Sequence, residues 1–194
     1  MTVNRGQETS RPLHETLIIA GFGGQGVMII GNLLAFAAMK EGNHVTYLPI
    51  YGVEMRGGTA NCTVVISSKE IGSPIVERPR AAIVMNQPSL EKYEPRVQSR
   101  GLLVINSSLI DPQAAARDDI NLLAVPANEI AQQNGGTKFS NMVALGAFIE
   151  KTGWVQPDSL FESLEHVLDS RYHSLIPSNV TAIQKGQEYA RSLR

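Results

Sequence analysis

The stretch from Thr16 to Gly26, TLIIAGFGGQG, constrains the fold of this chain more than any other part of the sequence. It starts with a short, almost wholly apolar run, which is typical of a strand buried on both faces of a parallel sheet. The pattern G-x-G-x-x-G follows through Gly21, Gly23 and Gly26, and an apolar helix is predicted at Val27 to Met39. A strand, a glycine turn and a helix in this order predict the start of an α/β domain with a ligand-binding turn.

The glycine turn is a candidate site for an anion. The first N–H groups of the following helix have no acceptor within the helix and carry partial positive charge. The candidate anion-binding residues are Gly21, Gly23, Gly24, Gln25 and Gly26. The alternative is that these glycines only permit a tight turn and close packing of the helix on the strand.

An NAD(P)- or FAD-binding site is a second interpretation of the same turn. It requires an acidic residue at the end of the second strand, where a carboxylate binds a ribose hydroxyl. The second strand is predicted at His44 to Leu48, and Pro49 and Ile50 follow it. The nearest acid, Glu54, belongs to another segment, so the sequence disfavours an independent nicotinamide- or flavin-dependent oxidoreductase while leaving it open.

Apolar and β-branched runs later in the chain predict the remaining elements. Strands are predicted at 60–67, 80–86, 101–106 and 121–125, and helices at 89–97, 127–134, 141–151, 157–170 and 180–192. Strands alternating with helices predict an α/β fold with an open, mostly parallel, Rossmann-like sheet flanked by helices. A return strand from Ile71 would give one antiparallel pair. The polar residues 1–14 are predicted to form a mobile N-terminal arm, and residues 15–194 a single domain.

Composition excludes several classes of function. A formal net charge of −1 provides no electrostatic footprint for nucleic acid or for an anionic membrane. No apolar run approaches the length of a membrane span and the N-terminus is unlike a signal peptide, so we expect a cytoplasmic protein. The single cysteine, Cys62, excludes an internal disulfide and an iron–sulfur cluster ligated by cysteines of this chain alone.

The sequence shows no arrangement of residues typical of a catalytic or metal site. The four histidines, at positions 14, 44, 166 and 173, are scattered and have no ligand spacing. A G-x-S-x-G nucleophile turn and the Lys-Ser/Thr pair of a P-loop are both missing from the sequence. We therefore predict no catalytic residue and no metal site in this chain.

The segment YGVEMRGG, Tyr51 to Gly58, is predicted to contact another protein. Glu54 and Arg56 would point the same way in an extended chain, and the glycines free the backbone to approach another surface. The predicted interface residues are Tyr51, Gly52, Glu54, Arg56, Gly57 and Gly58. The ordinary alternative is a surface loop with a solvated ion pair.

Two motifs in order, GFGGQGV and YGVEMRGGTANCTVVIS, resemble the gamma subunit of 2-oxoacid:ferredoxin oxidoreductases. The family's glycine motif and its Y-G-x-E-x-R-G-G segment are both met at each defining position. A later run, SNMVALGAF at Ser140 to Phe148, resembles the family's helix after the last strand. The 2-oxoglutarate type resembles this chain most, while pyruvate, branched-chain and indolepyruvate relatives share the motifs.

The resemblance implies a complex that decarboxylates a 2-oxoacid such as 2-oxoglutarate, transfers the acyl group to coenzyme A and passes electrons to ferredoxin. It implies that thiamine diphosphate lies between alpha and beta subunits, and that iron–sulfur clusters belong to beta and to a ferredoxin-like delta subunit. This chain would then pack on alpha and beta, help to accommodate coenzyme A, and be inactive and prone to self-association when isolated. A pure assembly subunit without a ligand is the alternative.

Overall fold

The computed structural model describes residues 13–52 and 59–193, and in them a six-stranded sheet is flanked by helices. The strands are β1 (His14–Phe22), β2 (His44–Tyr51), β3 (Thr59–Ser67), β4 (Ala81–Val84), β5 (Leu102–Asn106) and β6 (Asn121–Val125). The α-helices are α1 (Val27–Lys40), α2 (Gln87–Tyr93), α3 (Ala127–Gln132), α4 (Ser140–Thr152), α5 (Pro157–Val167) and α6 (Ile176–Ser192). The sheet is open, with the order β2-β3-β1-β4-β5-β6, which confirms the predicted α/β class.

Strand β1 lies inside the sheet and is buried on both faces, as its apolar run predicts. Leu17 and Ile19 pack into the larger core, which lies between the sheet and helices α1, α3, α4, α5 and α6. Ile18 and Ala20 point to the other face and pack into a smaller core under α2. Because neighbouring side chains of a strand alternate between faces, an unbroken apolar run is what a strand between two helical layers requires.

The antiparallel part of the sheet is β3, and the predicted return strand at Ile71 was wrong. Residues 68–80 contain no strand. Instead β3 runs antiparallel to both of its neighbours, β1 and β2. The hairpin between β2 and β3 closes where Gly52 N donates to Thr59 O at 2.8 Å, so β3 returns beside β2 and separates it from β1.

Strand β2 continues through Pro49 to Tyr51, beyond its predicted end at Leu48. The Gly52–Thr59 hydrogen bond sets the alternation of the antiparallel ladder. Pro49, which is opposite Cys62, therefore lies at a position whose backbone nitrogen faces the free edge of the sheet. Since β2 is an edge strand, the missing N–H of proline costs no hydrogen bond within the sheet.

Several other element boundaries differ from the prediction, among them the starts of β1 and α6. His14, assigned above to the N-terminal arm, is the first residue of β1, while residues 1–12 lie outside the described part of the chain. Helix α6 begins at Ile176 rather than at Val180. Pro177 occupies its first turn, a position where proline costs no intrahelical hydrogen bond.

Helices α4 and α6 approach each other closely through two glycines. A Cβ atom at Gly146 would lie 2.0 Å from the carbonyl oxygen of Ile183 in α6. A Cβ atom at Gly186 would lie 2.0 Å from the carbonyl oxygen of Val143 in α4. Only glycine permits this backbone contact, which fixes α4 against the sheet and places its N-terminus beside the glycine turn. Among the described residues, no helix has both the length and the apolar character needed to cross a membrane.

Candidate functional site

The predicted glycine turn and the hairpin between β2 and β3 lie at the same edge of the sheet. We call residues 21–26 the glycine loop. Phe22, at the end of β1, pairs with Thr59 at the start of β3, and Tyr51 at the end of β2 pairs with Ala60. The carboxyl ends of β1, β2 and β4 thus meet at one edge, which is where open α/β sheets bind ligands.

The Gln25 side chain holds the glycine loop from inside. Its Oε1 atom accepts hydrogen bonds from Phe22 N at 2.7 Å and from Asn86 Nδ2 at 3.0 Å. Its Nε2 atom donates to Met85 O at 3.0 Å. Gly21 makes room for this arrangement, because a Cβ atom there would lie 2.7 Å from Gln25 Oε1. These bonds connect β1 to the end of β4, so Gln25 and Gly21 position the loop.

Positive φ angles in the loop occur at Gly24 and Gly26, and Gly23 is not among the glycines with positive φ. Gly24 has φ 95° with open space around its missing Cβ. Gly26, with φ 71°, is the N-cap of α1, and a Cβ atom there would lie 2.3 Å from Asn141 Nδ2. Asn141, in α4, donates to Gly26 O at 3.2 Å. Asn141 did not figure among the predicted site residues, although it lies in the run SNMVALGAF.

The N-terminus of α1 is open to an anion. Its N-cap has no capping side chain, and its first turn contains no acidic residue. Among the hydrogen bonds of the described residues, none uses the N–H of Gly24, Gly26 or Val27. These N–H groups and the helix dipole favour a negatively charged group beside the loop.

A depression of about 220 Å³ lies between the first turn of α1 and the hairpin. It is lined by Phe22, Gly23, Gly24, Gly26, Val27, Met28, Ile29, Tyr51 and Ala60. Side chains without formal charge and glycine backbone form this lining, so the depression offers apolar contacts beside the free N–H groups. A group that joins an anion to an apolar portion would match both features.

Exposed apolar side chains line this depression. Phe22 is 36% exposed, Ile29 40% and Tyr51 71%. We call these three residues the apolar patch. Exposed apolar surface of this kind typically marks a binding site for a ligand or another protein. Of the predicted interface residues, Tyr51 belongs to the patch and Gly52 directly follows it in the chain. Glu54, Arg56, Gly57 and Gly58 lie outside the described residues and stay predictions.

The sheet order also bears on the dinucleotide interpretation. In a dinucleotide-binding fold the second strand lies next to the first, so that its terminal acid reaches the ribose. Here β3 lies between β1 and β2, and the residue beside the end of β1 is Thr59. The end of β2 is Tyr51, one strand farther away. This arrangement lacks the position at which a ribose-binding acid would lie.

Two hydrogen-bond donors, one buried and one partly buried, fix the first turn of α1. The Cys62 thiol in β3 donates to Val27 O at 3.5 Å, and burial raises the pKa of this thiol to about 12. The Tyr47 hydroxyl in β2 donates to Met28 O at 3.1 Å, and burial raises its pKa above the usual range. Both groups are protonated at neutral pH and connect the hairpin strands to α1.

The histidines lie apart from one another. His166 stacks on Phe36 with 5.1 Å between ring centroids, and His173 Nε2 lies 3.0 Å from Leu168 O. His14 and His44 are the first residues of β1 and β2. In residues 13–52 and 59–193, no group of three or more His, Cys, Asp or Glu side chains could hold a metal ion.

Sequence comparisons place the chain among oxidoreductase subunits. A family model described as pyruvate ferredoxin/flavodoxin oxidoreductase matches residues 16–189. The ketoisovalerate oxidoreductase subunit VorA of Methanothermobacter thermautotrophicus is 37% identical over 175 residues, which cover 89% of this chain and 36% of VorA. The 2-oxoglutarate synthase subunit KorC of Archaeoglobus fulgidus is 33% identical over 181 residues, covering 93% of this chain and 90% of KorC. The chain thus spans about a third of the length of VorA.

Solved structures share the fold. The gamma subunit of a keto/oxoacid ferredoxin oxidoreductase from Geobacter sulfurreducens superposes with a TM-score of 0.78 at 25% identity, covering 92% of this chain and 99% of that subunit. A 2-oxoglutarate:ferredoxin oxidoreductase from Magnetococcus marinus has the same fold, with a TM-score of 0.84 at 22% identity, covering 93% of this chain and 32% of that one. The chain therefore belongs to the pyruvate ferredoxin/flavodoxin oxidoreductase family, in which it is similar to the gamma-type subunits.

Proposed function

We propose that this chain is a gamma-type subunit of a 2-oxoacid:ferredoxin oxidoreductase complex, which converts a 2-oxoacid to the acyl-coenzyme A and reduces ferredoxin. The family match over residues 16–189 carries the proposal. Several KorC subunits of 2-oxoglutarate synthases support 2-oxoglutarate as the substrate, at 28–33% identity. The VorA subunits, at 35–37% identity, support a branched-chain 2-oxoacid as the competing substrate.

The proposed complex places its redox chemistry in other subunits. Thiamine diphosphate would lie between alpha and beta, and the iron–sulfur clusters in beta and a ferredoxin-like delta subunit. The residues described here suit this division, because Cys62 is a fully buried, protonated thiol and not a free cluster ligand. This chain would contribute contacts and positioning.

We propose that the apolar patch and the segment Tyr51 to Gly58 dock this chain onto alpha and beta. Tyrosine and arginine are frequent anchors in interfaces, and Tyr51 is the most exposed residue of the patch. Arg56 and Glu54, in the same segment of the sequence, would supply charged contacts at the rim. The patch would otherwise leave the isolated chain prone to self-association.

We further propose that the glycine loop helps to accommodate coenzyme A. The free N–H groups of Gly24, Gly26 and Val27 would face a phosphate, and Ile29 and Tyr51 would contact an apolar part of the molecule. A pure assembly role is the second candidate, because the side chain of Gln25 is already used inside the loop and, among the described residues, no Lys or Arg lines the depression. Binding of coenzyme A by the complex distinguishes the two.

The docking proposal is tested by pull-down of alpha and beta with Tyr51→Ala and with Tyr51→Ala combined with Arg56→Ala. We expect at least tenfold weaker retention, because truncating an interface anchor typically costs about 2 kcal/mol. The thermal midpoint should stay near wild type, since Tyr51 is 71% exposed. Tyr172→Ala is the matched control, because Tyr172 is 45% exposed and lies outside the patch. Retention at wild-type strength by the double variant would show that this surface is not the interface.

A further inference from the structure

A second cavity lies at the opposite edge of the sheet from the glycine loop. It has a volume of about 770 Å³ and is formed by the starts of β1, β4, β5 and β6 and the ends of α4 and α6. The residues that matter for its chemistry are Glu15, Arg80, Arg100, Leu122, Lys151 and Trp154. Its size is in the range of small-molecule sites, which are concave and mostly preformed.

Cations outnumber carboxylates by one in the described lining. Arg80 Nε lies 3.1 Å from Glu15 Oε2, whereas the side chains of Arg100 and Lys151 form no ion pair among the described residues. Glu41 also lines the cavity, and its Oε1 accepts from Gln156 N at 2.7 Å. Three cations against two carboxylates leave a net positive charge for a ligand to neutralise.

The Glu15 carboxylate adds a polar group that protein atoms do not satisfy. Its side chain is 15% exposed, and its buried Oε2 forms no hydrogen bond within the described residues, the contact with Arg80 being an ion pair without hydrogen-bond geometry. A buried acceptor without a donor is costly unless water or a ligand supplies one. A ligand that carries a hydroxyl beside its anionic groups would supply that donor.

Arg100 has an unusual backbone conformation. Its φ of 63° is the only positive φ among the described residues other than glycine. The conformation is held by Arg100 N, which donates to Asp119 O at 2.6 Å, and by Arg100 O, which accepts from Asn121 Nδ2 at 3.1 Å. Such strained residues concentrate at binding sites, where the surrounding structure maintains them.

The cations could instead serve only to neutralise helix ends. Lys151 lies in the last turn of α4, where the helix dipole favours positive charge. Arg80 and Arg100 precede strands β4 and β5 and have no helix terminus of their own. In addition, the α4 carbonyl of Ile149 is already satisfied by Gly153 N at 2.8 Å. The helix end therefore accounts for Lys151 and the ion pair with Glu15 accounts for Arg80. The side chain of Arg100 is left without an ion-pair partner among the described residues.

We infer that this cavity binds a small anion with carboxylate or phosphate groups, with Arg80, Arg100 and Lys151 as its counter-ions. Trp154 and Leu122 contact its apolar portion, and Glu15 accepts a hydrogen bond from its hydroxyl. The site is separate from the glycine loop and from the apolar patch. It does not depend on the proposed role in an oxidoreductase complex.

Tryptophan fluorescence of the full chain tests this inference directly. Trp154 is the only tryptophan, and it lines the cavity. The probes are citrate and pyrophosphate, with sodium chloride at matched ionic strength as the control. We expect a saturable change in emission with at least one probe. Saturation with citrate alone identifies a carboxylate ligand, and saturation with pyrophosphate alone a phosphate ligand.

Two variants decide whether binding occurs in this cavity. Arg100→Gly removes the guanidinium and suits the positive φ, so the fold should be retained. Arg80→Gln removes the second charge, and Arg171→Gln, outside the cavity, is the matched control. We expect at least tenfold weaker binding for the first two variants and no change for the control. An emission change that sodium chloride reproduces, or equal binding by all variants, would overturn the inference.

Discussion

The glycines of the glycine loop occupy positions with different physical requirements. Gly21 leaves the space that the Gln25 amide fills, while Gly26 has a positive φ and lies against Asn141. Gly23 lacks a positive φ but lines the depression beside α1. Substitutions at Gly26 and Gly23 should therefore have different consequences, although the sequence pattern treats these positions alike.

Gly26→Ala should destabilise the chain, whereas Gly23→Ala should mainly affect use of coenzyme A. At Gly26, a left-handed backbone with a Cβ costs about 1–2 kcal/mol, and displacing Asn141 adds to this. Urea unfolding measures the loss, with Gly72→Ala as the control because open space surrounds Gly72. At Gly23, we expect a higher KM for coenzyme A in the reconstituted complex. An unchanged KM and unchanged stability for Gly23→Ala would refute the proposed anion site.

The Cys62 thiol should make stability depend on pH in the alkaline range. The pKa is about 12 in the folded chain and about 8.5 in an unfolded one, so the unfolded state loses the proton first. The protonated thiol therefore contributes fully to the free energy of unfolding below about pH 8.5. This contribution is lost as pH rises towards 12, at up to about 1.4 kcal/mol per pH unit. Between about pH 8 and 10, the free energy of unfolding should fall less steeply with pH in Cys62→Ser than in the wild type. This variant keeps a hydrogen-bond donor for Val27 O. Equal slopes would contradict this.

At the scale of elements, two contacts position the site. The β2–β3 hairpin brings Tyr51 and Thr59 to the edge that carries the glycine loop. The contact between α4 and α6 places Asn141 against Gly26. Both contacts depend on close backbone approach, at Gly52 in the hairpin and at Gly146 and Gly186 between the helices.

Gly186→Ala should destabilise the chain although alanine is the better helix former. Its Cβ would lie 2.0 Å from Val143 O, so α6 must move away from α4. We expect the free energy of unfolding to fall by about 1–3 kcal/mol, as for other overpacked interiors. At an exposed helical glycine, the same substitution would instead raise it by about 1 kcal/mol. Urea unfolding measures this change in stability, with Gln184→Ala on the exposed side of α6 as the control. A variant more stable than wild type would show that the helices can separate without cost.

At the scale of the whole molecule, the two edges of the sheet carry different features. The edge with the glycine loop exposes the apolar patch and free N–H groups, whereas the opposite edge carries the cationic cavity. The described residues hold no group of three metal-binding side chains at either edge. In the proposed complex, we expect the other subunits to supply the catalytic groups.

The isolated chain should show no 2-oxoacid-dependent reduction of a redox dye, because the proposed complex holds its thiamine diphosphate and iron–sulfur clusters in other subunits. Activity should appear when alpha, beta and delta subunits are added. If the 2-oxoglutarate assignment is right, the reconstituted complex should use 2-oxoglutarate in preference to ketoisovalerate. Dye reduction by the purified chain alone would refute the prediction, and preference for ketoisovalerate would change only the substrate.

Local sequence patterns determined which elements form and where most of them lie. The strand Asn121–Val125 was predicted with its observed bounds, and helix α1 to within one residue. Apolar periodicity and the turn residues act over short distances, so they can be read without knowing the fold. The two family motifs, one in the glycine loop and one in the hairpin, likewise identified the family before any contact was known.

The tertiary structure alone decided strand direction and the use of individual side chains. The run 60–67 of β3 is buried and would be so in either strand direction, so the insertion of β3 between β1 and β2 could not be read from periodicity. The hydrogen bonds of Gln25 to Asn86 and Met85, 61 and 60 residues away, arise only when β1 and β4 become neighbours. Periodicity reports which faces are buried, whereas partners distant in sequence are set by the packing of the whole chain.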